Sequence, residues 1–236
     1  MSDEAAEPLL IAFDGPAGSG KGTIARRVAE ALGVPYFDTG AMYRAVALAV
    51  LDRGCDPDDR EAVLEILDRV DVGLERREAV FEVLLDGEPV EDRIRTPQVG
   101  EATSKIATYP EVRQAMVALQ RAYGRRHGGV MEGRDIGTRV FPYAPVKIYL
   151  DASPEVRAGR RWRQLRDAGR PVSHEEALED VHRRDRRDST REHSPLTCDD
   201  SYTRIDTSDL DVDQVVRRVL EVVASRAAES VRRDGG

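Results

Sequence analysis

"LLIAFDGPAGSGKGTIARRVAEALG", residues 9–33, divides into three pieces that decide the fold. The apolar run from Leu9 to Phe13 ends at Asp14-Gly15, the pattern of a strand buried on both faces, and such strands belong to parallel sheets. Ile24, Val28 and Leu32 fall four residues apart, with Ala25 and Ala29 on the same stripe, so a helix starts near Lys21 and stops at Gly33. Between them lies the spacing Gly15-x-x-x-x-Gly20-Lys21. Glycines at these positions let successive backbone N–H groups turn inward on phosphate oxygens; the helix adds its positive end, and the lysine reaches the terminal phosphates. Gly15, Pro16, Ala17, Gly18, Ser19, Gly20, Lys21, Gly22 and Thr23 are therefore the candidate triphosphate site. One departure stands out: Gly22 occupies the position where Ser or Thr usually supplies a hydroxyl to Mg²⁺, and Thr23 arrives one residue late.

The alternation repeats downstream. "VPYF" (34–37), "GGVME" (128–132), "VKIYLDA" (146–152) and "YTRIDTS" (202–208) read as further strands separated by helical patterns, giving five strands of an α/β fold with helices on both faces. Helices are expected over the Ala-, Val- and Leu-rich 41–51 and after Pro110, where Val112, Met116, Leu119 and Tyr123 form a stripe. Others should start at Ser153-Pro154-Glu155, at the capping box Ser173/Glu176, and beneath the valines of 212–223. "VDVGLERREAVFEVLLDGEPV" (70–90) instead alternates polar and apolar residues and turns at 76–78 and at Asp86-Gly87, a small antiparallel insert. The expected organisation is a core of residues 1–37 and 108–225, a region 38–107 carrying the β-rich insert at 70–96, and a polar tail from 226 to 236. Residues 1–7 and the tail are polar and unpatterned, and are expected to lack fixed structure.

The chain has 236 residues and a formal net charge of -8, which argues against general nucleic-acid binding. The average hides an asymmetry. Residues 52–92 hold fifteen acidic and five basic side chains, whereas 157–191 hold eleven arginines against seven acids. Cys55 and Cys198 have no paired spacing, so neither a disulfide framework nor a zinc cluster is indicated. No stretch approaches the roughly 20 apolar residues that cross a bilayer. A soluble, cytoplasmic, monomeric protein is expected, with no membrane partner.

No Asn-Lys-x-Asp base-reading element of a GTPase and no strand-ending Asp-Glu pair of a motor ATPase is present. Instead three clusters pair arginine with carboxylates and hydroxyls: "FDTGAMYR" (37–44), "MEGRDIGTRVFP" (131–142) and "RRDRRDSTR" (183–191). Together with G-P-A-G-S-G-K-G-T they occur in this order in bacterial cytidylate kinases, which residues 9–225 resemble. The resemblance implies phosphoryl transfer from ATP to CMP or dCMP on a phosphate-loop core with a mobile lid and a monophosphate-binding region. Gly22 then reads differently, since G-K-G-T is the form seen in nucleoside monophosphate kinases. Mg²⁺ is expected as cofactor, held mainly by phosphates and water, with no dedicated metal ligand in the chain.

By the same resemblance Arg44, Arg134 and Arg191 correspond to ligands of the acceptor phosphate, Arg184 and Asp188 to ribose contacts, and Thr39 to the acceptor site. Lys21, Arg134, Arg184 and Arg191 form the expected catalytic set; convergent guanidiniums suit a transfer that brings two anions together. In "GEATSKIATYPEVRQ" (100–114) Ser104 and Arg113 match the family's base contacts, and Asp135 matches the third. A carboxylate accepting from the cytosine N4 amine, with Ser104 and Arg113 donating to ring acceptors, would leave uracil facing an unpaired acceptor. Plainer readings stand beside these: a helix cap for Ser104, an Arg134–Asp135 neighbour pair, and a solvated ion-paired helix face for 183–191. "VRAGRRWRQLRDAGR" (156–170) puts Arg157, Arg160, Arg161 and Arg163 on a helix running into a Gly-Arg-Pro turn, the expected lid within about 157–172. Arg160 or Arg161 would reach the nucleotide, with Arg160 counted among the ATP contacts, while Trp162 packs the helix. Two rivals are a kinase for another small acceptor, UMP or AMP, and a catalytically inactive scaffold binding nucleic acid through 157–191; interspersed acids and the lack of an aromatic platform disfavour the second.

Overall fold

The computed structural model describes residues 8–234 apart from 168, 171, 192 and 193. Residues 1–7, expected to be unstructured, and Pro171 of the expected turn lie outside the described residues.

Strand β1 (Leu10–Asp14) is buried along its whole length, as its apolar run requires. It pairs in parallel with β6 (Gly129–Glu132) on one side and β7 (Val146–Asp151) on the other. Outward from these lie β2 (Tyr36–Asp38) beside β6 and β8 (Thr203–Asp206) beside β7, both parallel. The five strands read from the sequence thus form one parallel core. The insert is an antiparallel hairpin, β3 (Val72–Arg77) with β4 (Val80–Leu85), and β4 turns back at Asp86-Gly87 into β5 (Glu88–Pro89). Its turn lies at Glu78-Ala79, with Glu78 at φ 56°. The hairpin is not set apart, because β4 joins β2 through the parallel pair Tyr36 and Val80 and completes an eight-stranded sheet. Phe81 stacks on Phe37 with ring centroids 4.3 Å apart, and the Tyr123 hydroxyl bonds the backbone of Leu74, so apolar and polar contacts both fix that join.

Helix α1 (Lys21–Leu32) follows the glycine loop and ends at Gly33 in a left-handed cap whose N–H returns to Ala29 and Glu30. It packs with α8 (Val212–Asp234) against one face of the sheet, around Ile24, Val28, Val215 and Val219. Helix α2 (Thr39–Asp52), capped by Asp38, is apolar nearly all round and correspondingly buried. It is covered by α3 (Arg60–Leu67), the hairpin, α4 (Pro97–Ile106) and α5 (Pro110–His127). Helices α6 (Pro154–Asp167) and α7 (His174–Thr190) form a pair over the end of the sheet, with the expected Ser153 cap and the Ser173/Glu176 capping box. Helices α3 and α4 were not among the expected helices, and two further features depart from expectation. Helix α8 continues to Asp234, so residues 227–234 are helical: the apolar stripe stops, but Ala, Arg and Glu carry high intrinsic helix propensity. A single π-helical turn, Ile136–Val140, follows β6; periodicity in the sequence gives no sign of it.

Candidate active site

The C-terminal ends of β1, β6 and β2, with α2, α4, α6 and α7 above them, enclose one cleft of about 1340 Å³. On its donor side Gly15 has φ +145°, and a Cβ there would lie 2.0 Å from the Leu150 carbonyl, so only glycine fits against β7. Gly20 is left-handed at the N-cap of α1 and supplies no capping side chain, which leaves the first amides of α1 unclaimed by a side-chain cap. Lys21 is buried, with Nζ donating to the Pro16 carbonyl at 2.7 Å and to Ser19 Oγ at 3.4 Å. Burial and, next, the charge of Arg134 push its ammonium down to about 7, against the pull of Glu132, Asp14 and Asp188. Pro16, Ala17, Gly18 and Ser19 complete the loop, and Thr23 is exposed on the first turn at the mouth of the cleft.

Gly22 has a structural reason. A Cβ there would lie 3.0 Å from Glu132 Oε1, so the carboxylate of Glu132 fills the space beside the helix start. Tyr36 donates its hydroxyl to that oxygen at 2.6 Å, and burial followed by the charge of Asp38 raises the Glu132 carboxyl above the usual range. Sequence reading missed Glu132, although it stands inside the E-G-R-D motif. It also missed Asp14, whose buried carboxylate accepts from the Ile136 and Gly137 amides and from the Tyr202 hydroxyl, and so supports the π-helical turn next to Arg134 and Asp135.

On the acceptor side Arg44 and Arg184 approach each other over Gly100, where a Cβ would lie 3.4 Å from Arg44 Nη1 and 3.5 Å from Arg184 Nη2. Arg44 also donates to the Ile94 carbonyl. Its guanidinium is pushed down to about 10, first by burial and, against the pull of Asp38, by Arg95, Arg184 and Arg134, the mark of a nest that favours an anion. Arg134 Nε donates to Asp188 at 2.9 Å, and Arg191 lies 3.9 Å from the other oxygen of Asp188. Burial alone would raise the Asp188 carboxyl; the charges of Arg134 and Arg191 hold it below the usual range. Arg191 keeps a buried Nη2 without a hydrogen-bond partner among the described residues. Arg184 pairs with Asp180 on its own helix, as does Arg183, so the plain reading of 183–191 holds for one part of that helix while Arg184, Asp188 and Arg191 line the cleft.

The three expected base contacts line the same cleft. Asp135 pairs with Arg113, not with its neighbour Arg134, and both partners are buried. Arg113 also lies over the Tyr43 ring and keeps a buried Nε without a hydrogen-bond partner among the described residues. Ser104 is inside α4, whose cap is Thr96. Its Oγ accepts from Arg187, a residue that sequence reading passed over. Thr39 is buried and donates to the Glu132 carbonyl at 2.6 Å.

The arginines of α6 divide. Arg157 is an anchor: it bonds the carbonyls of Ala152 and Ala17 and makes a two-point pair with Asp185. Arg160 is tied to the Ser19 carbonyl and to Thr207 by three bonds, so it braces the phosphate loop. Arg161 is less committed, bonding Gln164, with its Nε 3.9 Å from Asp180 and without a hydrogen bond among the described residues. Trp162 packs as expected, its indole N–H on the Val172 carbonyl.

A family model described as cytidylate kinase matches residues 11–225. The cytidylate kinase of Corynebacterium glutamicum is 46% identical over 223 residues, 94% of this chain and 97% of that protein. That of Caldanaerobacter subterraneus subsp. tengcongensis is 45% identical over 215 residues, 91% and 94% of the two chains. The Klebsiella pneumoniae cytidylate kinase is 42% identical over 219 residues, covering 93% and 96%. Among solved structures, an uncharacterized protein from Eubacterium ventriosum superposes with a TM-score of 0.50 at 13% identity, over 92% of this chain and 99% of that one, a likeness of fold alone. The family match spans all four motifs, and the relatives match over nearly their whole length; this chain belongs to the cytidylate kinase family.

Proposed function

We propose that the chain transfers the γ-phosphoryl group of ATP to the phosphate of CMP, and of dCMP, with Mg²⁺ on the donor phosphates and the residue roles that follow. One observation carries the reading: a phosphate loop and a second nest of arginines face a single cleft. Phosphoryl transfer spreads charge over the moving group, and its catalysis is mostly positioning and neutralisation. The loop amides and Lys21 hold the donor phosphates, while Arg44, Arg134 and Arg191 hold the acceptor phosphate. Arg184 and Asp188 orient the ribose beside Thr39. Arg161, whose Nε makes no hydrogen bond among the described residues, reaches the transferring group when α6 closes, and Arg160 keeps the loop in shape. An acceptor phosphate that is already largely ionised needs no side-chain base.

Mg²⁺ fits the residues present. The Asp38 carboxylate is engaged by Ala41 N–H and Arg95, whereas Glu132, whose Oε1 accepts from Tyr36, keeps Oε2 as a hard oxygen beside Gly22. Glu132 would help hold the ion, with phosphates and water supplying the other positions. When bound, the ion neutralises charge on the donor phosphates. A cytoplasmic setting suits the two free cysteines, and no helix among the described residues is long and apolar enough to cross a membrane.

For the base, Asp135 accepts from N4 while Arg113 and Ser104 donate to ring acceptors. The unpartnered Nε of Arg113 supports this, because a buried donor without an acceptor costs about 1–3 kcal/mol until a ligand satisfies it. Asp135→Asn keeps the shape and removes the obligate acceptor. Steady-state kinetics on both acceptors should show the CMP-to-UMP preference in kcat/KM falling by about tenfold or more. An unchanged preference would remove Asp135 from this role.

A further inference from the structure

Ser104 and Arg187 meet where α4 faces α7: Arg187 Nη1 donates to Ser104 Oγ at 2.7 Å. A guanidinium carries only donors, whereas a hydroxyl has one proton and two lone pairs. The bond therefore occupies a lone pair of Ser104. No other hydrogen bond engages that hydroxyl among the described residues, so its single proton is uncommitted. Ser104 lines the cleft with Arg113 and Asp135; Arg187 is half-buried behind it and does not line the cleft. A serine without such a partner can turn either its proton or a lone pair toward a bound base, and would match a ring acceptor or a ring N–H with equal ease.

We infer that Arg187 is a positioning residue for base selection: by occupying one lone pair of Ser104 Oγ it fixes the hydroxyl and directs its proton toward the bound ring. The inference rests on the base-site reading above. Cytosine offers acceptors at both N3 and O2, whereas uracil carries a hydrogen on N3. A serine whose proton is held toward N3 therefore opposes uracil from the ring side, as Asp135 opposes it at the exocyclic position. Arg184, Arg187 and Arg191 fall three and four residues apart, so one stripe of α7 and its C-cap sets both the acceptor-phosphate nest and the polarity of Ser104. Movement of α7 would thus form or release phosphate and base contacts together.

The test is a double-mutant cycle in the full-length enzyme, reading kcat and KM for CMP, UMP and ATP in Ser104→Ala, Arg187→Met, the double variant and Arg187→Lys. Loss of the orienting bond should raise the CMP KM of Arg187→Met about five- to tenfold and reduce the CMP-to-UMP preference by a similar factor, leaving the ATP KM within about twofold. Arg187→Lys, which keeps a donor and the charge, should restore most of the preference. In the Ser104→Ala background the Arg187→Met change should add less than about twofold, because the partner is already gone. Equal weakening of CMP and UMP would overturn the inference, since that is what loss of a remote charge produces. So would an Arg187→Met effect of full size in the Ser104→Ala background. A wild-type enzyme that prefers UMP or AMP to CMP would instead overturn the base-site reading itself. A wild type that prefers CMP, with an Arg187→Met preference equal to it, overturns this inference alone.

Discussion

The Cβ that Gly22 lacks would lie 3.0 Å from Glu132 Oε1, and that distance decides how the first turn of α1 responds to substitution. Gly22→Ser would push the Glu132 carboxylate by a few tenths of an ångström and strain its bond with Tyr36. We expect a loss of about 1–2 kcal/mol in stability and a raised KM for ATP, measured by urea unfolding and by steady-state kinetics. Lys21 has its own signature. Burial, then the charge of Arg134, lowers its ammonium to about 7, whereas in the unfolded chain it stays protonated to about 10. Between those values the unfolded chain binds the extra proton, so the penalty of burying Lys21 is full below pH 7 and relieved as pH rises through that window. Anionic phosphates should restore the charge. ATP binding at pH 8 without acceptor should therefore take up close to one proton, seen by titration calorimetry in buffers of different ionisation enthalpy, and Lys21→Arg should abolish the uptake. Gly22 was legible in the sequence as a departure from the usual loop. Glu132 was not, because only the pairing of β6 with β1 brings residue 132 against residue 22.

At the scale of elements, β1 and the loop depend on a glycine that touches β7, and α6 depends on a buried arginine. Gly15→Ala would place a methyl 2.0 Å from the Leu150 carbonyl at a φ that favours glycine. It should cost more than about 3 kcal/mol in denaturant unfolding. Arg157 joins α6 to Asp185 of α7 and to the loop carbonyl of Ala17. Because Asp185 remains 29% exposed, Arg157→Met should cost about 2–3 kcal/mol, less than a fully buried pair, and should raise the ATP KM as the loop loses its brace. Six of the eight helices among the described residues and the five core strands were legible because their stripes and caps show in the sequence, whereas α3 and α4 were not read from it. The resemblance put Arg157 and Arg160 within the expected lid, and a helix of arginines does not tell which of them face the core. The π-helical turn was hidden for a related reason: it is held by Asp14, more than a hundred residues away.

Across the whole molecule the strand order β3-β4-β2-β6-β1-β7-β8 gathers the four motifs at one end of the sheet. A chain with a net charge of -8 thereby presents a cationic cleft. Recognition of the acceptor relies on pairs far apart in sequence, Arg113 with Asp135 and Arg134 with Asp188. The motifs announced these residues one by one, while the pairing between them needed the fold. The direct test of the account is an ADP-release assay run across CMP, dCMP, UMP, AMP and GMP under one set of conditions. CMP and dCMP should give the highest kcat/KM, with UMP lower by about tenfold or more. Turnover of AMP or UMP above that of CMP would contradict it.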